Sequence, residues 1–212
     1  MNSPHKGMPV IKAGAELEEA KAVMIMIHGR GASAQSVLPL ANEIDQRHEI
    51  TFLAPQASNH TWYPYSFLVP REQNQPGIDS GMEVISALVS DLNAQGIPDH
   101  KIFFLGFSQG ACLASDFVAR NPKKYAGLFA LSGGLIGPSI DFNDYSGDLK
   151  NTPIFLGCSD VDFHIPKERV NESAEVFEHL GASVIKKLYP GMGHLINEDE
   201  ISSINEIIEK SI

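Results

Sequence analysis

Short apolar runs alternate along the chain with segments whose apolar positions recur every three or four residues. Val23–Ile27 reads as a buried strand, and Thr51–Ala54, Ile102–Leu105, Leu128–Leu131, Pro153–Leu156 and Val184–Tyr189 read as further strands. Ser36–Arg47 reads as a helix with Val37, Leu40, Ala41 and Ile44 on one face. Asp79–Gln95 reads as another, with Met82, Ile85, Leu88, Val89 and Leu92 on its buried stripe and Gly96-Ile97-Pro98 as its stop. Gln109–Arg120, Glu168–Leu180 and Asn197–Lys210 complete the helices, and Asn197 with Glu200 three residues on forms a capping box. Strands alternating with helices pair in parallel through right-handed crossovers, so the expected class is α/β with a doubly wound sheet, helices on both faces. Two irregular stretches, Gln56–Gly77 and Gly133–Thr152, each follow a strand. Long loops at the carboxyl ends of strands are where such sheets bind ligands.

A chain of 212 residues without repeat or linker suits one domain spanning 1–212. It is long enough to bury roughly 70% of its unfolded surface. Sixteen Lys+Arg against 26 Asp+Glu leave a net charge of −10, which argues against nucleic acid or an anionic membrane as partner and serves solubility. Cys112 and Cys158 are the two cysteines, too few for a disulfide framework, and read as small core residues. The first nineteen residues contain no apolar h-region, and Ala22–Ile27 is too short to span a bilayer. The expectation is therefore a cytoplasmic protein without integral membrane association.

The chemistry-bearing stretch is Gly106-Phe107-Ser108-Gln109-Gly110, placed between a strand and a helix. A Gly-x-Ser-x-Gly in that context is the nucleophile elbow of the α/β-hydrolase fold. The turn is so tight that side chains two residues either side of the serine would collide, which suits Gly106 and Gly110. A serine hydroxyl needs a base, and the base an orienting acid, in the chain order Ser, Asp or Glu, His. His194, in the loop before the last helix, is the candidate base; His179 falls in a helix, and His164 follows the acid loop too closely and reads as structural or pocket-lining. Asp160 and Asp162 are equal candidates for the acid on spacing, the other one capping its loop. Oxyanion donors are expected from the backbone N–H of Gln109, at a helix N-terminus, and of Arg30, in the loop after the first strong strand. His28 reads as an organiser of that loop. Its glycines match neither a P-loop nor GxGxxG. Trp62 and Tyr63 are candidate pocket walls, while Arg71-Glu72-Gln73 reads as a solvated stretch or a loop anchor.

Together these motifs resemble the phospholipase/carboxylesterase family of α/β-hydrolases, which includes the acyl-protein thioesterases. His28-Gly29-x-Gly31 is similar to its oxyanion loop, Gly106–Gly110 to its elbow, Asp160-x-Asp162-x-x-Ile165-Pro166 to its acid loop and Gly193-His194 to its base loop. Thr61-Trp62-Tyr63-Pro64-Tyr65 resembles a bacterial branch of esterases. The resemblance favours Asp162 as the acid. It implies an intracellular serine esterase with no cofactor and does not fix the substrate. The expected activity is that of a serine carboxylic-ester hydrolase on small to medium acyl or aryl esters, with no metal. Family members can form homodimers. Arg30 departs from the pattern, where an aliphatic residue is usual, and its charge argues against long acyl chains. Cys158-Ser159 stands where the family has His-Gly. The alternatives are a thioesterase or lysophospholipase for longer chains, and a non-catalytic ligand-binding relative.

Overall fold

The computed structural model describes residues 3–212. A seven-stranded sheet runs β1 (Val10–Gly14), β3 (Ile50–Pro55), β2 (Ala22–Ile27), β4 (Ile102–Phe107), β5 (Gly127–Leu131), β6 (Pro153–Ser159) and β7 (Ser183–Tyr189) across its width. All neighbouring pairs are parallel except β1 against β3. The alternation in the central strands explains the burial on both sides. Val23, Ile25 and Ile27 of β2, with Ile102 and Phe104 of β4, face a core closed by α2 (Gly77–Ala94), α3 (Gln109–Arg120) and α4 (Lys167–His179). Met24 and Met26, with Phe103 and Leu105, face the opposite core under α1 (Ala34–Val37) and α5 (Glu198–Glu209). Side chains in a strand alternate between faces, so a continuous apolar run signals cover on both. α3 is buried from Gln109 to Ala119 because it lies against β4 and β5 and also meets α2.

Two elements differ from expectation. β1 pairs with β3 at the sheet edge and alternates between exposed and half-buried residues, too short and too mixed to stand out as a strand. The expected helix Ser36–Arg47 is instead a single α-turn, Ala34–Val37, followed by a 3₁₀ segment, Leu38–Glu43, and extended backbone at Ile44. Pro39 accounts for the break, since it lacks an N–H and its ring crowds the carbonyl four residues back. Val37, Ala41 and Ile44 still reach the core.

The order of pairing positions the site. From β2 the chain goes to β3 on one side, then returns to place β4 on the other. The loops leaving β2 and β4 therefore emerge side by side at the topological switch point, where open α/β sheets form their crevice.

Candidate active site

Ser108 sits between β4 and α3 with φ 55° and ψ −120°, a left-handed conformation that a serine adopts only where the surroundings enforce it. The enforcement is visible in the packing. A Cβ at Gly110 would collide with the Ile27 carbonyl, and one at Gly106 with the Gly110 carbonyl. Helix, strand and neighbouring strand thus meet at a distance only glycine permits, and the hydroxyl is pushed clear of the backbone.

His194 and Asp162 come to it from two other strand ends. Ser108 Oγ donates to His194 Nε2 at 2.9 Å, and His194 Nδ1 donates to Asp162 Oδ2 at 2.7 Å. The Asp162 side chain has no exposure to solvent. Burial pushes its carboxyl up, but the hydrogen bonds from His194, His164 N–H and Ile165 N–H outweigh it and hold the carboxyl below its ordinary 3.8. The acid is therefore ionised and aimed. Asp160 takes the other part offered by the sequence: its Oδ1 accepts Gly191 N–H at 2.8 Å. Ser159 Oγ accepts Gly193 N–H at 3.0 Å, so the loop that carries His194 is strapped to the end of β6 at two points. Gly193 has φ 79°, which lets the backbone turn its N–H inward. The Phe107 and His164 rings lie 4.9 and 5.0 Å from the His194 ring and pack it from two sides.

Arg30 lies in the loop after β2 and Gln109 opens α3, both beside Ser108. Among the described residues neither backbone N–H has a protein acceptor. Gly29 lets the β2 loop come close, since a Cβ there would stand 3.4 Å from Ser108 Cβ. His28 organises this loop. Its Nδ1 donates to Gly29 O, its Nε2 accepts Ala57 N–H at 3.1 Å, and burial lowers its pKa, so it stays neutral.

A cavity of about 400 Å³ opens at Ser108, lined by Arg30, Tyr63, Phe67, Cys112, His164 and His194 among others. A larger one of about 480 Å³, between Ala13, Leu38, Arg47 and Phe52, contains none of these groups. Tyr63 does line the cavity beside Ser108. Trp62 does not: it is fully buried, its indole N–H donates to His28 O at 2.9 Å, and it braces the β2 loop from behind. Tyr63, itself buried, reaches the cavity wall, whereas Trp62 belongs to the core alone. Cys112 forms part of the cavity floor, and burial pushes its thiol to about 12, as it does that of Cys158. Both remain neutral thiols.

Two contributions rest on partners remote in the chain, the second being the loop-anchor alternative for Arg71. The Gln109 side chain accepts Trp62 N–H at 2.9 Å and donates to Tyr63 O at 2.8 Å, stapling the aromatic loop to the elbow. Arg71 acts as a loop anchor through its ion pair with Asp116, which is completely buried and also bonded by Arg120. Neither is signalled by spacing, because both partners are remote in the chain.

This arrangement can draw a proton from the Ser108 hydroxyl and receive a negative oxygen between two amides, the chemistry of acyl transfer. The model of the phospholipase/carboxylesterase family matches residues 7–212, and the chain belongs to that family of α/β-hydrolases. It is 27% identical to acyl-protein thioesterase 1 of Kluyveromyces lactis, over 95% of this chain and 97% of that one. It is 28% identical to a probable carboxylesterase of Oryza sativa, over 91% and 78%. The crystal structure of a phospholipase/carboxylesterase from Dyadobacter fermentans superposes with a TM-score of 0.92 at 41% identity, covering 96% of this chain and 97% of that one. The protein is thus a hydrolase of the esterase and thioesterase type. Among the described residues no helix is long and apolar enough to cross a membrane.

Proposed function

We propose that residues 1–212 act as one α/β-hydrolase domain and that the protein is a serine carboxylic-ester hydrolase for small to medium acyl or aryl esters. The observation that carries this reading is the unbroken chain of hydrogen bonds from Asp162 through His194 to Ser108. In it, Ser108 Oγ attacks the ester carbonyl while His194 Nε2 takes its proton. Asp162 holds the imidazole in the tautomer with Nδ1 protonated and stabilises the imidazolium. The N–H groups of Arg30 and Gln109 bind the oxyanion. Collapse of the tetrahedral intermediate passes the proton from His194 to the leaving alcohol and leaves an acyl-Ser108. Water, deprotonated by His194, then releases the acid.

The test is fluorophosphonate labelling of the wild type and of Ser108→Ala, read by intact mass. One adduct on the wild type, absent from a folded Ser108→Ala, is expected. No adduct on the folded wild type would sink the assignment and leave the fold as a ligand-binding scaffold. The thioesterase names of several relatives favour a second reading, hydrolysis of longer acyl thioesters. A chain-length series of nitrophenyl esters, with matching thioesters, separates the two: a peak at acetate to butyrate supports the small-ester reading.

A further inference from the structure

Arg30 presents two different groups to the same cavity. Its backbone N–H is the oxyanion donor proposed above, and its side chain lines the wall beside Ser108. That guanidinium is held in place, with Nη1 donating to Pro64 O at 2.6 Å and Nη2 to Tyr65 O at 2.5 Å, and it stands 5.8 Å from the centre of the Tyr63 ring. Both acceptors are neutral. Among the described residues Arg30 makes no ion pair, whereas Arg71 and Arg120 pair with Asp116 and Arg169 pairs with Glu172. No Asp or Glu lines the cavity.

A fixed guanidinium without a counter-ion is a pre-organised half of a charge-assisted hydrogen bond. Three of its five N–H groups lie outside the two carbonyl contacts, and its planar fork suits a carboxylate. Fixing it beforehand removes the rotamer entropy that a ligand would otherwise have to overcome on binding. The chain as a whole carries a net charge of −10, so an anion approaching this surface is repelled except where a local cation focuses the field.

We propose that Arg30 makes this enzyme select esters that themselves bear a carboxylate, a few bonds from the scissile carbonyl, such as half-esters of short dicarboxylic acids or esters of hydroxy acids. The inference rests on the esterase reading and narrows it to a substrate class. Arg30 would bind the anionic group through its remaining Nη and Nε hydrogens while its amide holds the oxyanion.

The test compares isosteric pairs on each side of the bond. On the acyl side the pair is the nitrophenyl half-ester of glutaric acid against the nitrophenyl ester of glutaric acid monoamide. On the alcohol side it is the butyrate of hydroxybenzoic acid against the butyrate of hydroxybenzamide. On one of the two sides kcat/KM should favour the carboxylate by about tenfold, the scale of one charge-assisted hydrogen bond. That ratio should shrink with added salt, persist in part in Arg30→Lys and vanish or invert in Arg30→Glu. Each figure is a ratio measured on one enzyme, so any general loss from disturbing the loop cancels. Where a variant turns over neither ester of a pair, glutarate titrated into Ser108→Ala with and without Arg30→Glu reads the same contact by NMR. Binding lost with the arginine supports the proposal, and equal binding or none overturns it. Wild-type preference for the neutral ester on both sides, or a preference that survives Arg30→Glu, also overturns it. Turnover of neutral esters without preference removes the Arg30 assignment alone, whereas no turnover of any ester removes the esterase reading with it.

Discussion

At the scale of single residues, the site depends on where one carboxyl keeps its charge. Asp162 is cut off from solvent yet stays ionised because three N–H donors converge on it. Asp162→Asn keeps the shape and removes the charge, and its amide favours the wrong histidine tautomer. We expect kcat on a nitrophenyl butyrate to fall by about three to four orders of magnitude with KM little changed, the size such a change has in serine proteases. The same carboxyl shapes acid stability. Its folded value lies below the ordinary 3.8, so its contribution is fully present above that pH and is lost as pH falls through the folded value. Thermal melts from neutral pH down should therefore show a shallower acid limb in Asp162→Asn than in the wild type.

At the scale of elements, the loop that bears His194 is fixed by the helix that follows it. Asn197 caps α5 by accepting Glu200 N–H at 2.9 Å, and Glu200 Oε2 returns the bond to Asn197 N–H, also at 2.9 Å. Glu200 is completely buried behind Gly157, and burial raises its carboxyl from the ordinary 4.5 to about 7. A raised value means that the folded state favours the proton. Stability from this group is fully present below 4.5 and is lost progressively as pH rises to about 7. Glu200→Gln keeps an oxygen for the Asn197 N–H without the charge. It should melt higher than the wild type at pH values above 7, by roughly 1–3 kcal/mol, and match it in acid. A Tm profile across that range is the check. The capping box itself is legible from Asn197 and Glu200 alone, because a cap is local chemistry. The burial of Glu200 is not, because it depends on β6 lying against α5.

At the scale of the molecule, the long loop between β3 and α2 is a strapped wall. Its straps come from separate parts of the chain, among them Gln109 at the elbow, Arg30 in the β2 loop, and Asp116 in α3 through Arg71. Arg71→Met leaves Asp116 buried with Arg120 as its remaining partner. We expect a loss of roughly 1–3 kcal/mol, below the full cost of orphaning a buried charge because Arg120 stays and Arg71 is partly exposed. Hydrogen exchange should quicken in the loop, including the amides around Tyr63 and Tyr65. Unchanged exchange there would mean that the other straps suffice.

Sequence alone was enough for whatever depends on residues close together in the chain. The periodicities predicted six of the seven strands and four of the helices, and the inner strands read as apolar runs because both faces of the sheet are covered there. The elbow at Ser108 was legible because two glycines flank a serine between strand and helix, and His194 because it lies in the last loop before the last helix. The edge strand β1 escaped because its five residues mix exposed with half-buried positions and form no apolar run, and the Pro39 break because the apolar face persists through it. Between Asp160 and Asp162, spacing offered no choice. What separates their contacts is the sheet: β6 and β7 pair so that Asp160 meets Gly191 while Asp162 meets His194 Nδ1. Tertiary structure likewise sent Trp62 into the core and left the Arg30 guanidinium without a carboxylate at the cavity wall. Those outcomes turn on which strand ends lie side by side, a property of chain topology that no local pattern of residues encodes.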